Sequence, residues 1–171
     1  MGTTYYMKPI APIEQNTVRV PAGAVTFGLE MRELNPALVH AFYHGRPDEE
    51  HIAAMADRVN SLDDGGPSIH VFGSDDQLEY LRFDCFRNGP HYHYVHPNEE
   101  HQVVNEIDPA ADGDPFEWAL GRLRSRLPEM LREAGGATLA DQLDQATVDS
   151  AIHRVSELAA KAARPASSQL G

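Results

Sequence analysis

The sequence predicts an α+β fold: an antiparallel β-meander sheet of four to six strands with C-terminal helices packed on one face. Three observations carry that expectation. Four strand-like runs follow one another between residues 68 and 107, separated only by Gly73-Ser-Asp-Asp76, Arg87-Asn-Gly-Pro90 and Pro97-Asn-Glu-Glu100. Breaks this short and this rich in turn residues join antiparallel neighbours. Beyond Asp114 the apolar residues recur at helical spacing. The length of 171 residues suits one domain with a real hydrophobic core.

The elements follow in order. Residues 1–16 carry Gly2, Pro9 and Pro12 among scattered polar groups and read as an irregular N-terminal arm. The single α+β domain then spans 17–163, and 164–171 reads as a frayed tail. From Thr17 to Met31 the chain is β-branched but interrupted by Pro21 and Gly23, which suits two short strands or one bent edge strand. Asn35-Pro36 supplies an N-cap and a proline at the first helical position, opening a helix to about Tyr43. A second helix begins at the acidic Asp48-Glu-Glu50, with Ile52, Met55 and Val59 as its buried stripe. The four strand runs are Ser68–Phe72, Leu78–Phe86, His91–His96 and Gln102–Ile107. Asp114-Pro115-Phe-Glu117 starts a long helix that Pro128 is expected to kink or split. Thr138-Leu-Ala-Asp141 reads as a capping box for a last helix, whose stripe includes Val148, Ile152 and Val155.

Charge and cysteine usage exclude several classes. Fourteen Lys and Arg face 26 Asp and Glu, a formal net charge of −12 that repels polyphosphate. Nucleic acid and anionic membrane surfaces are therefore not expected partners. A lone cysteine, Cys85, allows neither an intramolecular disulfide nor a thiolate zinc cluster, and reads as an inert buried group in a reducing cytoplasm. No secretory signal pattern opens the sequence, and no run approaches the roughly eighteen apolar residues of a membrane-spanning helix. Nucleophile-elbow, P-loop and dinucleotide-binding patterns are missing from the sequence.

Histidine is the unusual feature. There are nine, four of them within residues 91–101. Strand register decides which side chains meet. With 87–90 as the loop, Asp84 opposes His93, Phe86 opposes His91 and Arg82 opposes Val95. With 97–100 as the next loop, Val104 opposes His93 and Glu106 opposes His91. One face then carries Arg82, Asp84, Phe86, His91, His93, Val104 and Glu106. The other carries Leu81, Phe83, Cys85, Tyr92, Tyr94, His96, Val103 and Asn105, and is the one suited to the C-terminal helices. Opposed Cβ atoms lie about 4.5–5.5 Å apart. Two imidazoles and a cross-strand carboxylate can therefore converge on one ion at about 2.0–2.1 Å. His91 and His93 with Asp84 or Glu106 form the expected metal set, and its nitrogen and oxygen donors suit Zn²⁺, Fe²⁺, Mn²⁺ or Ni²⁺.

Around that set, Arg82 is expected to pair with a substrate carboxylate, and Tyr80, on the same face, to offer a proton. His70 is ambiguous in parity and stays open as a third ligand. His96 and His101 fall on the opposite face as surface residues, although a one-residue loop shift would bring His101 to the site. His40, His44, His51 and His153 show no partner pattern. A solvated sheet face, with the histidines hydrogen-bonded to Asp84 and Glu106, uses the same residues without an ion.

Residues 89–99, Gly89-Pro-His91-Tyr-His93-Tyr-Val-His-Pro-Asn-Glu99, resemble the first metal motif of the cupins, which also sets His-x-His on a strand with a Glu shortly after. Glu99 falls a residue late, and helix follows where a cupin would supply further strands. The likeness implies only that a strand-borne His-x-His can hold a catalytic ion.

The function expected is a small metal-dependent enzyme of hydrolase, lyase or oxygenase type acting on a small, anionic organic molecule. An accessory domain whose histidine face contacts a partner subunit, and a metal-free binding domain using His/Asp pairs, are the alternatives. Homo-oligomerisation is left open.

Overall fold

A computed structural model describes residues 2–164. Its elements run β1 (Thr3–Tyr5), β2 (Thr17–Ala22), β3 (Val25–Leu34), α1 (Pro36–Tyr43), α2 (Glu49–Ala54), α3 (Ala56–Asn60), β4 (Asp64–Gly73), β5 (Glu79–Asp84), β6 (His91–Tyr94), β7 (Gln102–Glu106), α4 (Pro109–Asp112), α5 (Pro115–Glu133), α6 (Ala137–Asp141) and α7 (Gln145–Ala162). The strands form one seven-stranded sheet in the order β1-β7-β6-β5-β4-β3-β2, antiparallel throughout. The α+β class and the C-terminal helices are as the sequence predicts. The sheet exceeds the expected four to six strands by one, at the β7 edge. Thr17–Met31 resolves into a hairpin turning at Gly23 (φ 73°), and three arm residues pair with β7.

Alternation divides the sheet cleanly. Phe27, Leu29, Ile69, Val71, Leu81 and Phe83 lie on one face, in cross-strand register, and α5 and α7 cover them. Leu120, Leu123, Leu127 and Leu131 of α5 meet Val148, Ile152 and Val155 of α7 over this layer. Each fully buried side chain of this size contributes about 1.5–3 kcal/mol, so this layer is the main source of stability. α5 runs unbroken through Pro128. The carbonyl that Pro128 leaves without an amide partner, Arg124 O, accepts from Gln145 Nε2 at 3.1 Å instead. The capping box expected at Thr138 is not used. Gly136 precedes α6 without a side-chain cap, and Asp144 caps α7 by accepting from Thr147 N at 3.0 Å.

The opposite face, which carries Asp84, His91 and His93, is roofed. Val39, Tyr43, Ile52 and Val59 of α1–α3 close over it together with Met7 of the arm. The expected second helix is broken at Met55 (φ −105°, ψ 26°), which ends α2 and starts α3, so that Ile52 and Val59 both reach this second apolar layer. The arm is pinned through Lys8. Lys8 Nζ donates to the carbonyls of Val95, His96 and His101 at 2.7–2.9 Å, and Tyr43 Oη donates to Lys8 O at 2.7 Å. No helix among the described residues is long and apolar enough to cross a membrane.

Candidate metal centre

The roofed face carries a stripe of buried polar groups: Glu30, Arg32, Ser68, His70, Arg82, Asp84, His93 and Gln102. Polar groups in such a place must be satisfied by one another or by a ligand. Three of them converge. Asp84 on β5 opposes His91 on β6, and Arg82 opposes His93. This register is two residues from the expected one, because the chain after Asp84 keeps bonding to β4 through Cys85 N→Pro67 O and Arg87 N→Gly65 O, and because Asp64 then holds the amides of Asn88 and Gly89. A shift of two leaves every side chain on its face, so the three still meet. Phe86 leaves the sheet and stands edge-on to the His91 ring.

Nε2 of His93 lies 3.0 Å and Nε2 of His91 3.2 Å from Asp84 Oδ2. The three ligand atoms all lie within 4.8 Å of one another. Ligands held about 2.0–2.1 Å from a common tetrahedral or octahedral ion stand about 2.9–3.4 Å apart, so both nitrogen–oxygen separations already match. The second layer fixes the tautomers. His91 Nδ1 donates to the Gly89 carbonyl at 2.7 Å, and His93 Nδ1 to Gln102 Oε1 at 2.8 Å. A neutral ring therefore presents a lone pair to Asp84, and a protonated ring donates to it instead. Ser68 Oγ donates to the other carboxylate oxygen at 2.5 Å and orients it.

Electrostatics agree with this arrangement. Burial opposes charge on Asp84, yet hydrogen bonds from His91 and His93 hold its carboxyl well below the usual range. Burial also opposes charge on His91, but Asp84 outweighs it and raises this imidazole. For His93 burial prevails, and its pKa is lowered. Three converging acceptors need a cation between them. A proton on His91 meets that need, and so does a metal ion.

The other expected site residues lie as follows. Glu106 opposes His91 as expected, but is exposed and stands outside the three-ligand group. Arg82 is on the site face but is already engaged: Nε and Nη2 donate to Glu79 at 3.1 and 2.7 Å. Tyr80 is a correction. A bulge opposite Val71 and Phe72 turns it onto the helix-covered face, where its hydroxyl donates to Asp76, and burial followed by Asp76 pushes its pKa up to about 12. The same bulge brings Glu79 inward. His70 is not a third ligand: Nε2 meets Glu30 Oε1 at 2.9 Å and Nδ1 meets Glu79 Oε2. His96 and His101 group with Glu99 instead, apart from the centre, and the Lys8 ammonium on their carbonyls disfavours a cation there. Cys85 is buried and its thiol pKa raised, first by burial and then by Asp84 and Asp114. Arg32, Ser68, Glu79 and Gln102 escape a sequence reading. For Gln102 a signal existed, since it shares the parity of Val104 and Glu106.

Two cavities adjoin the three ligands. One, of about 170 Å³, is lined by Arg32, Arg82, Asp84, His91 and His93 among others. The second, about 560 Å³, lies under the roof, with Met7, Val39, Ile52 and Val59 on its walls and His91 and His93 at its floor.

Residues 19–159 match the family described as a domain of unknown function, DUF7700, and the chain belongs to that family. Neither the curated proteins nor the solved structures contain a match.

Proposed function

We propose that this member of the DUF7700 family is a metal-dependent enzyme acting on a small anionic organic molecule, with Asp84, His91 and His93 holding one divalent ion of Zn, Fe, Mn or Ni. The observation that carries the reading is the fixed tautomer of both rings. Gly89 O and Gln102 Oε1 take the Nδ1 protons, so that in the neutral rings both Nε2 lone pairs face one carboxylate oxygen. Metal-ligating histidines are oriented in this way by outer partners.

Two imidazoles and one carboxylate leave coordination positions open, and an ion held there supplies Lewis-acid chemistry suited to hydrolysis, lyase reactions or oxygen insertion. The chain's own groups do the rest. Ser68 keeps the Asp84 carboxylate oriented, Gln102 keeps the His93 ring from turning, and the roof of Met7, Val39, Ile52 and Val59 limits the access of bulk water. Exclusion of water strengthens every charge interaction beneath it. A reducing cytoplasm, in which Cys85 stays a thiol, is the compartment this reading fits.

The rival reading, a histidine face that contacts a partner subunit, requires an accessible face. Here Asp84 and His93 side chains are only 5% and 8% exposed, which supports the catalytic reading. The test is thermal stability with added metal. An ion at about a hundred times its dissociation constant stabilises by about 2.7 kcal/mol, or roughly 5–10 °C for a chain of this size. Wild type is expected to show that shift with at least one of the four ions, and His93→Ala to show none. No shift with any of them contradicts the proposal.

A further inference from the structure

Arg32 is a buried cation without a complete set of partners among the described residues. It sits on β3 opposite Gly66, on the same face as Glu30 and the metal set, and is only 3% exposed. Nη2 donates to the carbonyls of Ile10 and Ala11 at 3.1 Å. Nε and Nη1 are buried with no hydrogen-bond partner among the described residues. Glu30 stands 3.8 Å from Nη1, beyond hydrogen-bond reach, and gives that oxygen to His70. Native folds seldom leave charged donors in this state without a ligand to meet them.

The surrounding charges point the same way. Arg32, Arg82 and a protonated His70 balance Glu30, Glu79 and Asp84 under the roof. A divalent ion adds two positive charges for which no buried carboxylate is left, so the loaded site calls for an anion. Arg32 lines the 170 Å³ cavity, room for on the order of ten waters. That cavity shares Ile10, Leu34, Tyr43, His91, His93 and Gln102 with the larger chamber. The larger walls are mainly apolar.

We propose that the site binds a monocarboxylic acid with an apolar body: the carboxylate meets the free N–H groups of Arg32, the body lies in the chamber under α1–α3, and the stretch between them passes the Asp84–His91–His93 centre. This rests on the enzyme reading above for its chemistry, but the anion site stands on Arg32 alone. Arg32, not Arg82, is the residue that selects the acid.

The experiment is calorimetric titration of metal-supplemented full-length protein with hexanoate, hexanamide and acetate, on wild type, Arg32→Gln and Arg32→Lys, with metal uptake measured in parallel. Hexanoate is expected to bind wild type at least tenfold more tightly than either comparison compound. Losing a hydrogen bond to a charged group corresponds to roughly a 10- to 100-fold loss in affinity, so Arg32→Gln is expected to weaken hexanoate by that factor and leave hexanamide and metal uptake unchanged. Arg32→Lys, which keeps the charge but loses the planar donors, should fall between. Equal affinity for hexanoate and hexanamide in wild type overturns the proposal whether or not the variants fold. So does a preference that survives Arg32→Gln. Metal uptake without an Arg32-dependent preference removes the acid site and keeps the metal centre; the reverse result removes the metal centre and keeps the acid site.

Discussion

Replacing Glu79 by Gln removes the charge that binds two buried cations and leaves the shape nearly unchanged. Glu79 accepts from Arg82 Nε and Nη2 at 3.1 and 2.7 Å and from His70 Nδ1, with its side chain 11% exposed. Burial alone would raise its pKa, but Arg82 and then His70 bring it down from 4.5 to about 2. At 1.36 kcal/mol per unit that difference amounts to about 3 kcal/mol, at the lower end of the roughly 3–5 kcal/mol lost when one partner of a buried ion pair is removed. In a chain of this length it corresponds to a fall of about 10 °C in Tm.

The pH dependence follows from the two shifts. Glu79 has a depressed pKa, so its stabilisation is present above pH 4.5 and disappears as pH falls from there toward 2. Burial opposes charge on His70, yet Glu79 and Glu30 hold its pKa above 6.5; its contribution is present below pH 6.5 and is lost as pH rises through the folded value. The stability gap between wild type and Glu79→Gln should therefore be widest between about pH 4.5 and 6.5 and narrow on both sides. Urea unfolding followed by circular dichroism from pH 3 to 9 measures it. A gap under about 1 kcal/mol at pH 6, or one that is flat across the range, refutes the reasoning.

Other outcomes follow from the same coordinates. Gln102→Leu should fold normally but weaken metal binding by about 10- to 100-fold in chelator competition, because His93 loses the acceptor that fixes its tautomer. Gly66→Ala should lower stability by about 1–3 kcal/mol in thermal melts, since Gly66 has φ +142° and a Cβ there would stand 2.7 Å from Cys85 O, a backbone atom. Cys85, buried and with its thiol pKa raised, should resist iodoacetamide at pH 8 in native protein and react once urea unfolds it. Rapid native labelling would show that the β5 end opens far more readily than its packing implies.

Much of this fold is legible in sequence because its turns are short and its faces alternate. The four central strands, the Asn35 cap with Pro36, and the pairing of His91 with Glu106 all follow from turn residues and parity. The β5–β6 connection runs longer because Cys85 and Arg87 prefer amide bonds to β4, a tertiary choice that no local signal announces. The even shift kept Asp84 with the two histidines by parity alone. The bulge opposite Val71 and Phe72 is different: one extra residue exchanges Tyr80 for Glu79 on the site face, and nothing in Glu79-Tyr-Leu-Arg82 marks it. The buried Glu30–His70–Glu79–Arg82 chain joins residues from three strands, so its charges read in sequence as ordinary solvated groups. The roof, too, was hidden, because the apolar stripes of α1–α3 say that they must be covered but not by what.

Elemental analysis of protein purified without an affinity tag decides the central claim. The account predicts one Zn, Fe, Mn or Ni ion per chain, bound as prepared or after dialysis against each ion, and lost in the His91→Ala/His93→Ala double variant while its circular dichroism spectrum stays that of the wild type. Wild-type protein that retains none of the four ions after such dialysis contradicts it.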